Sequence, residues 1–315
     1  MRIKQYLLQF SRVLALIVLS IGITLLNPNF LKATNIINVL RQSAPQIIMA
    51  LGMTIVLLTG GIDLSMGSVT TLASVVTAYL MKNQGLPWTL SVVVGLGVGV
   101  VSGWVNGVLI AKVHLPSPVA TYGMMWVIRG LAFAIMGASP IFGFSEAFRF
   151  MGIGYFLGIP APVWLMILAV VIITLFLKYT TLGRSIYAVG ANPLAARASG
   201  LAADRILFNA YMISGALAAF AGIILAARLN AVDQNAGGPF LLPAIAGPVM
   251  GGTSMWGGEG GTWGAVLGSL IMVVLTNGMN LLGISSLWQQ FVIGLVVVLS
   301  VWFDSILRRK MEETV

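Results

Sequence analysis

Charge is what this chain has least of. Of its 315 residues, 17 are basic and 8 acidic, 8% in all, against roughly 25% in an ordinary soluble domain. So few charges cannot cover a water-facing surface, which excludes a soluble enzyme, a nucleic-acid binder and a disordered protein. Cysteine is absent, so there is no disulfide framework, no thiolate nucleophile and no thiolate-bound metal. Histidine occurs once, as His114 beside Pro116 and Pro118, where it reads as a loop residue. A histidine-based metal site or catalytic dyad is excluded with it. What the chain has instead is 58% hydrophobic residues and a mean hydropathy of +1.00, the composition of a polytopic membrane protein. The net charge of +9 then concerns membrane orientation rather than nucleic acid.

Reading at bilayer length predicts an all-α fold of about ten transmembrane helices, near 12–27, 36–59, 64–81, 88–111, 118–137, 160–178, 206–227, 243–257, 262–281 and 287–304. The eighth is short and holds Pro243 and Pro248, so a broken or re-entrant segment is expected there. The first has the basic start of a signal peptide but ends in Asn27-Pro28-Asn29-Phe30, without a small-x-small cleavage pattern, and is read as a retained span. With the N-terminus placed in the cytoplasm, Arg2, Lys4, Arg12, Lys112, Lys178, Arg184, Arg197, Arg205, Arg308, Arg309 and Lys310 fall inside. Lys32, Lys82, Arg149 and Arg228 fall outside, and Arg41 and Arg129 lie within spans. That asymmetry is the one expected of an inner membrane protein with both termini cytoplasmic.

A long inside loop, 179–205, separates two blocks, 36–137 and 206–304. They sit in a single permease domain with an N-terminal span (1–35), an outer loop with the sixth span (138–178) and a tail (305–315). Asn106-Gly107 and Asn277-Gly278 recur at matched places in the two blocks, as do Asp63 and Asp233. Each matched pair falls on opposite membrane faces, as an inverted repeat requires. Gly95, Gly99, Gly103 and Gly107 form one stripe at four-residue spacing, with a shorter version at Gly260, Gly264 and Gly268. Such stripes let helices pack closely.

Three segments are candidates for function. In 59–68, Asp63 with Ser65 is either a gating or ion-coupling carboxylate or a helix cap at the start of the third span; the two roles are compatible. In 183–200, Asn192 suits an N-cap, Pro193 the first helical position and Gly200 a left-handed stop. The result is a short exposed helix of Pro193, Leu194, Ala195, Ala196, Arg197 and Ser199, whose small Ala face would fit a groove on a partner. The run 250–262 is rich in glycine but holds no Gly-x4-Gly-Lys-Ser/Thr, so any ATP must be bound by another chain. The outer connection 138–159, with Glu146 and Arg149, either receives an outside partner or is a solvated cover. Tyr122, Trp126 and Trp288 either line a solute path together with Asn106 and Asn277 or anchor the membrane interface. A secondary transporter or channel using Asp63 remains the alternative class, while a membrane enzyme lacks any clustered chemistry.

Taken together and in order, several stretches resemble the permease family of binding-protein-dependent ABC importers for simple sugars, the ribose, xylose and galactoside type. The carriers are Gly60-Gly61-Ile62-Asp63-Leu64-Ser65 with Gly67-Ser68, Gly183-Arg184 with Tyr187-Ala188, and Asn192 with Ala195-Ala196 and Ser199-Gly200. Gly251-Gly252-Thr253-Ser254, Gly257-Gly258 and Asn277-Gly278-Met279-Asn280-Leu281-Leu282-Gly283 follow. The resemblance implies two inverted halves and a permease that performs no catalysis itself and pairs with a second copy or a paralogue. It also implies a cytoplasmic ATPase that binds ATP and Mg, a periplasmic solute-binding protein, and a coupling role for the 192–200 helix. Leu241-Leu242-Pro243 stands where many ribose-type members have Glu-Leu-Asp, which leaves furanoses, fructose and polyols as open as ribose. The scarcity of charge in the spans fits a small neutral solute.

Overall fold

The computed structural model describes the backbone of residues 2–137 and 139–312 and the side chains of 12–137, 139–299 and 301–302. The side chains of Arg2, Lys4, Arg308, Arg309 and Lys310, on which part of the expected orientation rests, lie outside the described residues. The helices are α1 (Arg2–Leu26), α2 (Ala33–Leu58), α3 (Met66–Lys82), α4 (Trp88–Ala111), α5 (Ser117–Met136), α6 (Glu146–Ile153) and α7 (Ala161–Tyr179). They continue with α8 (Thr181–Ala191), α9 (Pro193–Ala198), α10 (Ala203–Leu229), α11 (Gly238–Met250), α12 (Thr262–Leu281) and α13 (Ser286–Glu312).

Each of the ten expected spans coincides with a helix, the eighth only in part. Among the described residues six helices are long and apolar enough to cross a membrane, and α1, α11 and α13 carry shorter apolar stretches. The centre is formed by α2 and α10, whose apolar windows are 78% and 72% buried, against 22% for the peripheral α5. A helix apolar on every face is one that is surrounded by others.

The eighth span differs from the 243–257 expected. It starts earlier, at Gly238-Pro239, and runs unbroken through Pro243 and Pro248 to Met250. It stops there because Gly252, Gly257, Gly258 and Gly260 hold positive φ, a region glycine enters without steric cost. At ~1.5 Å per residue its 13 residues span about 20 Å, short of a ~30 Å hydrocarbon core. The same turn removes Gly260 from the expected helical stripe, since α12 begins only at Thr262.

The two halves exchange roles. Helix α4 packs on α10 and α12 on α2; α3 packs on α10 and α11 on α2; α5 packs on α3 and α13 on α11. The linkers before α3 and α11 are built alike: Asp63 Oδ1 accepts from the Ser65 amide (3.0 Å) and Asp233 Oδ1 from the Asn235 amide (2.7 Å). These linkers begin at opposite ends of the bundle. The Asp63 end gathers Leu58, Gly190 and Gly258. At the other end Ile141–Phe142 pairs antiparallel with Ala231–Val232. Between those ends Gly67 and Gly237 face each other: a Cβ on either would run into the other's carbonyl oxygen. Equivalent residues that touch each other mark the axis of the inverted repeat.

The glycine stripe of α4 explains the closeness of its packing on α10. A Cβ at Gly99 would strike Gly215 and Ala219, one at Gly103 the Tyr211 carbonyl, and one at Gly107 the backbone of Phe208. In α12, Gly264 and Gly268 meet Gly251 and Gly247 of α11 in the same manner.

Candidate functional site

At the Asp63 end, α8 and α9 form a short elbow. Thr180 caps α8 by accepting from the Gly183 amide (2.9 Å), and Asn192 caps α9 by accepting from the Ala195 amide (3.0 Å). Pro193 opens α9, and Gly200 beyond its end has φ +82°. Arg197 ties the elbow to α10 through Asp204 (2.7 Å), an exposed pair worth at most about 1 kcal/mol. The exposed face keeps part of the expected small Ala face, since Ala195 and Ala198 are exposed, and adds Leu194 to it. Ala196 is 5% exposed and packs inward, whereas Leu194 is 80% exposed. With one residue per ~100° of helix, Ala196 and Leu194 point to opposite sides, and the outward side carries a large apolar residue.

The elbow is locked to the core by backbone. A Cβ at Gly190 would collide with the Leu58 carbonyl and the Gly258 amide, and the Gly258 amide donates to that same carbonyl (3.0 Å). Tyr187 Oη donates to the Gly260 carbonyl (3.2 Å), and burial raises its hydroxyl pKa above the ordinary value. Five residues past Leu58, Asp63 is 1% exposed. Its carboxylate accepts from the Ser65 amide, from Ser65 Oγ (2.6 Å) and from Ser214 Oγ of α10 (3.1 Å). Ser65, in turn, accepts from Asn106 Nδ2 of α4 (2.7 Å). Asp63 therefore supplies the amide contact at the start of α3. Ser65 makes no capping bond of its own and instead bridges α3 to α4. The carboxylate thus joins the start of α3 to α10, and Ser65 extends the network to α4.

A cavity of about 480 Å³ opens between α2, α5, α11, α12 and α13. It reaches from Ser286 in the first turn of α13 to Gln46 near the middle of α2. Gln46 is 3% exposed, and its Nε2 has no hydrogen-bond partner. Arg129 of α5 also lines the cavity, with a buried Nε that is likewise unpartnered. Its guanidinium lies over Trp126 (5.5 Å) and Phe133 (5.6 Å). A cation in a span costs about 2.5–3.5 kcal/mol on insertion scales, and two ring contacts of ~0.5–1 kcal/mol each offset only part of that. No acidic residue is among the lining residues. The cavity wall thus carries one fixed positive charge, from an arginine that the sequence already places within a span.

The structure separates the other expected path residues from this cavity. Tyr122 and Trp126 stack edge to face on the outer side of α5 (6.4 Å) and Trp288 on Phe291 (5.8 Å), and all three rings are exposed. Asn277 exchanges two 3.0 Å hydrogen bonds with Asn35, a strut between α2 and α12. Asn106 serves the Asp63 knot. Gln46 was missed in the sequence; its signal is that it stands last in the polar first half of α2, immediately before the apolar run from Ile47 to Met53. The connection 138–159 is anchored rather than loose: Phe144 and Phe148 are buried against each other (5.3 Å), and α6 packs on α10.

Apolar helices of membrane-crossing length, two halves that pack as inverted equivalents and a cavity among them are the features of a transport protein, and the comparisons agree. Residues 35–301 match the family described as the permease component of branched-chain amino acid transport systems. The chain belongs to this family of transport-system permeases. It is 40% identical to the ribose import permease protein RbsC of Escherichia coli K12, over 96% of this chain and 95% of that one. It is 43% identical to RbsC of Bacillus subtilis 168 (92% and 91%) and 33% identical to the fructose import permease protein FrcC of Rhizobium meliloti (94% and 84%). No solved structure matches.

Proposed function

We propose that this chain is the membrane subunit of an ATP-driven importer that moves a small sugar or sugar-like solute from the periplasm into the cytoplasm. The observation that carries the reading is similarity over nearly the whole chain to permeases named for ribose and fructose import. On this reading the chain lies in the bacterial inner membrane with both termini and the Asp63 end cytoplasmic. A second copy or a paralogue completes the pathway, and a periplasmic binding protein delivers the solute. A cytoplasmic ATPase binds ATP and Mg and receives α9, with Leu194 as its apolar anchor. The permease contributes no catalysis.

The geometry supplies a route for the mechanical signal. ATP-driven movement of α9 pulls on α8, and Gly190 bears directly on Leu58. Leu58 leads to the linker whose Asp63 holds the start of α3 against α4 and α10. The start of α3 meets the start of α11 at Gly67 and Gly237, and α11 forms a wall of the cavity. A shift between two packings of these elements would open the cavity to alternate faces.

The test is reconstitution of the permease with its ATPase and binding protein in liposomes. Uptake of sugar that depends on ATP is expected. Equal uptake driven by an ion gradient without the ATPase would replace this reading with the Asp63-coupled transporter.

A further inference from the structure

We infer that the 480 Å³ cavity is a solute-binding station inside the membrane, selective for hydroxyl-rich solutes that are neutral or anionic and closed to cationic ones. The inference rests on the import reading and sharpens it, because it names what the permease itself recognises. Its volume lies in the roughly 300–1,000 Å³ range of small-molecule sites. Gln46 of α2 and Arg129 of α5 both stand among its lining residues, and an amide and a guanidinium are hydrogen-bond donors. A sugar carries hydroxyl oxygens over its whole surface, which accept from such groups. No carboxylate among the lining residues neutralises the Arg129 guanidinium. The fixed charge therefore repels an ammonium group such as that of an amino sugar. It also repels inorganic cations, so the cavity can open without leaking them. Thr276, Gln42 and Gln290 add further polar contacts around the rim.

The absence of cysteine from these 315 residues gives a direct test, since Thr276→Cys introduces a single thiol among them. In nanodiscs that thiol is labelled with a sulfonate or a trimethylammonium methanethiosulfonate reagent, each rate normalised to free cysteine. The anionic reagent is expected to react at least about tenfold faster, the factor produced by a unit charge ~10 Å away at an effective dielectric of ~20. Arg129→Gln should abolish the preference. Ribose or fructose should slow labelling, and Gln46→Met, matched in size and apolar, should raise the protecting concentration by at least about tenfold. A sugar analogue bearing a quaternary ammonium group should not protect. No charge preference in the parent, or no protection by any sugar, overturns the inference. Folding of each variant is checked by an unchanged unfolding temperature in the same nanodiscs. ATP-driven uptake by the assembled importer is read separately. Uptake without protection refutes the binding station alone, whereas protection without ATP-driven uptake supports the station and refutes the import reading.

Discussion

Leu194→Ala isolates the docking role of α9. The side chain is 80% exposed, so its removal costs the permease almost nothing, within ~0.5 kcal/mol for a surface site. If the ATPase buries it, the substitution withdraws up to three carbons at about 0.8 kcal/mol each. Allowing for the fifth of the side chain that is already covered, about 2 kcal/mol of association is lost, roughly a 30-fold rise in Kd. The assay is association of the purified ATPase with permease in nanodiscs, followed by interferometry, with thermal unfolding of the permease measured alongside. Binding within twofold of the parent, in a permease of unchanged stability, would refute α9 as the docking element. Ala196→Glu, two positions along, is a different experiment. Ala196 is 5% exposed, so a carboxylate there enters the apolar interior at a cost of several kcal/mol, and its effect is expected first in thermal stability.

Asp63→Asn keeps one acceptor for the Ser65 amide but turns another towards Ser214 as a donor; about 1–3 kcal/mol of stability should be lost, visible in thermal unfolding. Uptake abolished in a folded variant would show that the charge itself is needed, and near-normal uptake that capping suffices. Gly103→Ala places a methyl into the Tyr211 carbonyl and should cost ~1–3 kcal/mol by overpacking, more than Gly97→Ala on the open face of the same helix. Asn35→Leu or Asn277→Leu alone strands a buried amide, whereas the double variant should recover most of the loss; additive losses in a double-mutant cycle would contradict the mutual pair. The raised Tyr187 hydroxyl leaves stability unchanged below about pH 10 and lowers it as pH rises further, because the unfolded chain releases that proton first. Tyr187→Phe should reduce this alkaline loss in a pH series of unfolding temperatures.

The sequence by itself determined the membrane class, the ten helical spans and the capped helix at 193–198. Each follows from local rules: hydrocarbon thickness sets the run length, and Asn192, Pro193 and Gly200 set a helix start and stop wherever they fall at that spacing. The pairing of Asp63 with Asp233 as inverted equivalents was also legible, because a repeated linker needs the same turn chemistry twice. Only the tertiary structure decided which face of α9 looks outward, since hydrophobic content cannot tell Ala196 turned in from Leu194 left bare. It likewise decided that Asn277 is a strut and that Gln46 and Arg129 face one cavity, from helices more than eighty residues apart in the chain. The sequence places Arg129 within a span, but composition does not say what an arginine there faces. That a cavity lies against it is set by packing between helices distant in the chain, which no composition records.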